Sequence, residues 1–353
     1  MTGLGHNHPK ITKAIQEQAG ALIHCSNLYQ IPEQEALATK LCSLSNMETV
    51  FFSNSGAEAN EAAIKLARLF GHNKGIETPV IIVAEQSFHG RTMATLSATG
   101  NRKVQAGFEP LLSGFARVPY GDVEAINQVA LNNKNVVAIF VEPIQGEGGI
   151  QIPHPEYLNN LRTITDKQDW LLMVDEVQTG MGRTGAWFAH QHNGIAPDVM
   201  TLAKGLGNGV PIGACLARDK AAEILAPGTH GSTFGGNPLV SRASLATINA
   251  IESDSLIDRA TFIGNAIAQG LRTNFSDEAS IVDIRNKGLM IGIELDRPCV
   301  SIVDHALEAG LLLNVTADSV IRLLPPLILD DEQIKFLIER LTTVINKFLE
   351  ESK

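Results

Sequence analysis

Apolar runs of strand length recur along the chain at 50–53, 80–84, 136–141, 171–174, 199–202 and 212–217. Segments of mixed polarity separate several of them, at 57–70, 123–131, 156–167 and 219–224, and predict helices. Strands that alternate with helices and are apolar almost throughout predict an α/β fold, with a mostly parallel sheet covered by helices on both faces. After Asn237-Pro238 the order changes. Two long helices, 239–251 and 256–275, lead to a strand pair at 282–285 and 289–295, and a helix at 331–350 closes the chain. A first helix is expected at 9–19. The pattern divides the chain into an opening segment (1–20), a large domain (21–252) and a small α+β domain (253–353).

Composition removes several functional classes. Acidic residues outnumber basic ones by 38 to 28, and the net charge of −10 argues against a nucleic-acid binder, which normally presents a basic face. No apolar run approaches the length of a membrane span, and the opening MTGLGHNHPK is not a signal peptide. The four cysteines, Cys25, Cys42, Cys215 and Cys299, lie far apart with no CxxC pair. That usage suits a reducing compartment, the cytoplasm, and suggests no zinc site. The pairs His6/His8 and His190/His192 lack the helical HExxH context of a metal centre.

The richest stretch runs over 170–213. Its first strand stops on Asp175 and Glu176, and a second, 198–202, ends just before Lys204, with glycines at 205, 207 and 209. Buried acid at a strand end is unfavourable without a partner, and the glycines leave room for a flat group close to the backbone. An acid and a lysine so placed suit pyridoxal phosphate: the lysine forms a Schiff base with the aldehyde, and the acid keeps the pyridine nitrogen protonated. The same residues also read as a solvated acid pair and a surface lysine. Residues 50–70 give a strand, a loop and a Ser55-x-x-Glu58 capping box, whose free N–H groups at Gly56 and Ala57 form an anion site or simply a well-capped helix.

In SFHGRT, Phe88 offers a ring for stacking and Arg91 a fork for a carboxylate. EPIQGEGG supplies two candidate acids, Glu142 and Glu147, and HGSTFGGNP supplies the hydroxyls of Ser232 and Thr233. Arg322, alone in the strand-like VIRLLPPL, suggests a bound carboxylate or a paired acid.

Taken together, SNSGAEANEAA, SFHGRT, EPIQGEGG, VDEVQTGMGRTG, TLAKGLGNGVPIGA and HGSTFGGNP, in this order and spacing, closely resemble the class III pyridoxal-phosphate aminotransferases. The resemblance extends from Gly3 to the last helix, and HCSNLYQIPEQEALATKL and Phe234 are similar to the acetylornithine branch. It implies fold type I of the pyridoxal-phosphate transferases and a homodimer with active sites at the interface. By the same resemblance Lys204 carries the cofactor, Asp175 meets the pyridinium nitrogen and Gln178 the 3-oxygen. Val177 and Phe88 sandwich the ring. Ser55, Gly56 and Ala57 hold the phosphate, and Thr233 reaches that of the neighbouring subunit.

Arg91, Glu147, Ser232 and Arg322 form the implied substrate set. Arg91 takes the donor's α-carboxylate and Arg322 that of 2-oxoglutarate, with Glu147 pairing Arg322 when the diacid is absent. The implied reaction moves the ω-amino group of N-acetylornithine to 2-oxoglutarate in arginine biosynthesis. Succinylornithine, ornithine and 4-aminobutyrate are alternative donors, and a cofactor-binding chain of little activity is the alternative of a different class. Members of the class carry a few dozen residues before Gly5-His6-Asn7-His8-Pro9, including a β-rich arm. Without them the resemblance implies exposed apolar surface, a weaker dimer and a looser donor pocket.

Overall fold

The structure, a computed structural model, describes residues 2–351. Seven strands form the first sheet: β1 (Thr49–Ser53), β2 (Val80–Ala84), β3 (Phe115–Val118), β4 (Val136–Val141), β5 (Leu171–Asp175), β6 (Val199–Leu202) and β7 (Gly213–Ala217), in the order β1-β7-β6-β5-β4-β2-β3. All pairings from β6 to β3 are parallel, and β7 alone runs backwards, antiparallel to both β1 and β6. Every residue of β4 and β5 is buried, as expected of central strands covered on both faces. Apart from β7, the strands run the same way, so the loops after β1, β2, β4, β5 and β6 emerge at one edge. Parallel sheets bind their ligands outside this carboxyl edge.

Helices α1 (Pro9–Ala21), α2 (Pro32–Ser45), α3 (Gly56–Asn73), α4 (Met93–Ala98), α5 (Arg102–Gln105), α6 (Val123–Asn132), α7 (Tyr157–Gln168), α8 (Pro238–Ser253) and α9 (Leu256–Asn274) connect or cover these strands. The buried stripe of α3 is rich in alanine (Ala59, Ala62, Ala63, Ala67), which lets the helix axis lie close to the sheet. A second, antiparallel sheet of β8 (Ile281–Lys287), β9 (Met290–Leu295), β10 (Asn314–Thr316) and β11 (Val320–Leu323) has the order β10-β11-β9-β8. Helices α10 (Ile302–Glu308) and α11 (Asp331–Glu351) accompany it. One hydrophobic core contains Val174 and Leu202 of the first sheet and Ile291 and Ile321 of the second. Beyond β11, Leu327 donates its amide to the Gly3 carbonyl at 2.7 Å, so the opening segment lies against the second sheet's loop.

Two local expectations are corrected. The helix expected at 219–224 is a single 3₁₀ turn, Asp219–Ala221. Asp219 sits at φ +47°, and Pro227 disfavours helical backbone at the residue before it. The capping box at α3 is half formed. Ser55 Oγ accepts the Glu58 amide at 3.2 Å, but the Glu58 carboxylate reaches past Ser55 to Asn54, taking its amide at 2.7 Å and its side-chain Nδ2 at 2.9 Å. Helix α2 and strand β3 were not expected. The signal for α2 was Pro32 at its first position, whereas β3 reads Phe-Ala-Arg-Val, too short and too mixed to announce itself.

Candidate active site

The carboxyl edge of the first sheet opens into a cleft of about 380 Å³. Ser55, Gly56, Ala57, Phe88, Arg91, Asp175, Val177, Gln178 and Lys204, nine residues singled out in the sequence, line it. Asp175 ends β5 and is 3% exposed. Its Oδ2 accepts from Asn60 Nδ2 and His89 Nδ1, each at 2.8 Å, and its Oδ1 accepts from the Val177 amide at 3.0 Å. A carboxylate only accepts, so His89 carries its proton on Nδ1. The imidazole is fixed by stacking on Phe140, with ring centroids 4.3 Å apart.

Lys204 begins a 3₁₀ turn straight after β6 at φ +41°, a conformation that is unfavourable for a side chain with a Cβ. Burial lowers its pKa, against the opposing pull of Asp175, Glu142 and Glu147. Its amine has no hydrogen-bond or ion-pair partner among the described residues. The neighbouring acid of the DE pair behaves differently. Burial pushes Glu176 up, but the His190 ring (3.0 Å), the Thr179 hydroxyl and the amide of Ala189 (2.9 Å) hold it below the ordinary range. Glu176 therefore pins the loop that follows β5.

At the start of α3 the amides of Gly56 and Ala57 precede the helix's own hydrogen-bond ladder and border the cleft. A Cβ on Gly56 would stand 2.8 Å from Val177 Cγ1, so glycine is what lets the helix end approach the Val177 side chain. Phe88 is half-buried, with the exposed Arg91 guanidinium 5.7 Å from its ring centre.

Glu147 and Arg322 lie just beyond. Arg322, 7% exposed on β11, donates Nη1 to Glu147 Oε1 at 2.7 Å and Nε to Asn314 Oδ1 at 3.2 Å. Gln178 bridges this pair to the cleft, accepting from Arg322 Nη1 at 3.3 Å and donating to Glu147 Oε1 at 3.4 Å. Ser232 and Thr233 do not line the cleft. They border a separate open hollow with His230, and only Ser232 touches the site, accepting from Asn54 Nδ2 at 3.2 Å. Sequence reasoning missed Asn60 and His89. Asn60 left one trace, a polar residue within the alanine stripe of α3, and His89 was passed over beside Phe88.

Three observations fit pyridoxal phosphate. A buried carboxylate faces the cleft with no lysine or arginine bonded to it, a lysine amine faces the same space without a partner, and a helix N-terminus sits at one end. This combination defines a pyridoxal-phosphate enzyme of fold type I. The chain belongs to the class III aminotransferases, whose family model matches residues 1–345. The acetylornithine aminotransferase of Nitrosomonas europaea is 57% identical over 348 residues, 99% of this chain and 88% of that protein. Acetylornithine aminotransferase 1 of Bordetella bronchiseptica is 51% identical over 98% of this chain and 88% of its own length. Among solved structures, the ornithine aminotransferase of Toxoplasma gondii ME49 superposes with a TM-score of 0.94 at 34% identity, covering 99% of this chain and 84% of that one. The family's cofactor is pyridoxal phosphate.

Proposed function

We propose that this chain transfers the ω-amino group of N-acetylornithine to 2-oxoglutarate, giving N-acetylglutamate 5-semialdehyde and glutamate, a step of arginine biosynthesis. The carrying observation is the unpartnered Lys204 amine facing the same cleft as Asp175, with the Arg322–Glu147 pair one residue further out through Gln178. The relatives above, named for acetylornithine, support the donor.

When bound, pyridoxal phosphate supplies a carbonyl for the amine and an electron sink. Lys204 would hold the cofactor through its amine and, when that amine is free, would serve as the base that takes a proton from the bound substrate. A lowered pKa keeps more of that amine neutral and fit to act as base. Asp175 keeps the ring nitrogen's proton in place, oriented by Asn60 and His89. Phe88 and Val177, which line the cleft, would shield the cofactor ring from water, and Gln178 would offer it a polar contact. Ser55, Gly56 and Ala57 take the phosphate. Arg91 takes the donor's α-carboxylate beside Ser232. Arg322 takes that of 2-oxoglutarate, and Glu147 neutralises Arg322 while the monocarboxylate end of the donor is present.

The working form in this reading is a homodimer in the cytoplasm, with Thr233 reaching the neighbouring subunit's phosphate. Exposed Leu28, Tyr29 and Phe234 support an interface there, since Asn27 donates to the Ser232 carbonyl at 2.7 Å and so ties the Leu28-Tyr29 segment to the one that carries exposed Thr233 and Phe234. No helix of the described residues is long and apolar enough to cross a membrane, and the four cysteines are free. The direct test is borohydride trapping of the cofactor on the protein, followed by peptide mass mapping. The cofactor mass is expected on the peptide containing Lys204 alone, and its appearance on another lysine overturns the assignment.

A further inference from the structure

One buried side chain ties together two of the loops that border the cleft. Glu142 follows β4 and is 3% exposed. Its Oε1 accepts the Phe88 amide at 2.9 Å, and its Oε2 accepts the Gly146 amide at 3.1 Å. The Tyr120 hydroxyl donates to the carbonyls of Glu142 and Pro143, at 3.0 and 2.9 Å, and so fixes the backbone from which the carboxylate projects. The two amides it holds belong to the loops that follow the neighbouring strands β2 and β4. Phe88 presents the ring that borders the cleft, and Arg91 lies three residues on. Gly146 precedes Glu147, the counter-ion of Arg322, and is pressed so closely on the Gln178 amide that a Cβ there would collide with it.

A carboxylate is a poor choice for this place on stability grounds. Burial and the nearby charge of Asp175 push Glu142 up to about 7, against the stabilising His89 and the two amides. Lys204 and Tyr120 also feel its charge. What a carboxylate offers and a glutamine does not is an acceptor at both ends, each facing an N–H. We propose that Glu142 is a positioning residue, a two-armed acceptor that holds the Phe88 loop and the Glu147 loop in register with each other at the edge of the cleft. The proposal rests on reading the Lys204 cleft as the transamination site. It concerns how the donor and acceptor sides of that site are kept aligned.

The test is Glu142→Gln, which preserves shape and turns one acceptor into a donor facing an N–H. In the cofactor-free chain, amide-resolved hydrogen exchange is expected to be slow at both Phe88 and Gly146 and to quicken at one of them about tenfold or more in the variant, the equivalent of one lost hydrogen bond. In the cofactor-loaded enzyme kcat is expected to fall about tenfold or more through misplacement of the Phe88 and Glu147 loops, with KM for 2-oxoglutarate not raised. A carboxylate that only supported the fold would lower the melting temperature and leave kcat alone. Tyr120→Phe, which loosens the support without touching the carboxylate, is expected to lower kcat in the same direction by less. Wild-type exchange at both amides in Glu142→Gln, or a wild-type kcat in a folded variant, overturns the proposal. If Glu142→Gln does not fold, unprotected Phe88 and Gly146 amides in the parent chain overturn it equally. The exchange result does not depend on where the cofactor attaches, so failure of the Lys204 assignment is told apart from failure here.

Discussion

Arg322 has to receive a diacid in one half of the proposed cycle and stay neutralised in the other. Its hydrogen bonds to Glu147 and Asn314 hold the guanidinium in place while the carboxylate of Glu147, itself about a third exposed, is free to leave. Replacing Arg322 with Gln removes charge-assisted hydrogen bonds worth roughly 2–3 kcal/mol, so KM for 2-oxoglutarate is expected to rise about a hundredfold. The rate of the donor half-reaction, measured in single turnover, is expected to stay within a few-fold. An equal loss in both halves would mean that Arg322 serves the site as a whole. Glu142 yields a prediction about pH. Its carboxyl is raised from 4.5 to about 7 in the folded chain, so the native state binds more protons than the unfolded chain between those values. Stability from this group is therefore present at low pH and is lost as pH rises towards 7, by about 3 kcal/mol. Glu142→Gln removes that dependence, and its melting temperature relative to the parent is expected to climb from pH 5 to pH 8. A constant difference over that range would contradict the placement of the charge. Among the residues, those with a motif around them were legible in the sequence. Asn60 and His89 were not, because their partner, Asp175, lies far along the chain and only the fold brings the three together.

At the scale of elements, the N-terminus of α3 gathers three devices: the Ser55 cap, the missing Cβ of Gly56 and the Glu58 carboxylate fastening Asn54. Ser55→Ala is expected to lose about 1 kcal/mol of stability with the cap. It is also expected to weaken pyridoxal-phosphate binding about tenfold through one lost hydrogen bond to the phosphate. Calorimetry and cofactor titration check the two effects separately, and an unchanged cofactor Kd would move the phosphate site elsewhere. The central strands were readable because burial on both faces forces them to be apolar throughout, as in Val-Val-Ala-Ile-Phe-Val of β4. Edge strand β3 escaped because only one of its four residues is fully buried. The expected helix at 219–224 failed on Asp219, whose left-handed backbone no periodicity reveals.

For the whole molecule, the order of elements was legible, but the way the second sheet closes on the first was not. Arg183 accounts for part of that closure. It is buried with no acid partner among the described residues, and burial lowers its pKa to about 10. Its guanidinium donates to the carbonyls of Leu289, between β8 and β9, and of Pro325, just past the strand that carries Arg322. The Leu289 amide returns a bond to the Arg183 carbonyl at 2.8 Å. Arg183→Met leaves those carbonyls, one buried and one half-buried, without the guanidinium and is expected to destabilise the chain by about 2–3 kcal/mol, read as a fall in melting temperature. Stability equal to the parent would mean that the second sheet is held by its apolar core alone.

The central claim is that one cleft, with Lys204 at its floor, runs both halves of a transamination. Absorbance of the chain loaded with pyridoxal phosphate, followed while first N-acetylornithine and then 2-oxoglutarate is added, tests it most directly. The visible band of the Lys204-bound cofactor is expected to bleach with the donor and to return with the diacid, and to be absent in Lys204→Ala. A band that neither substrate alters, or one that persists in Lys204→Ala, would contradict the account.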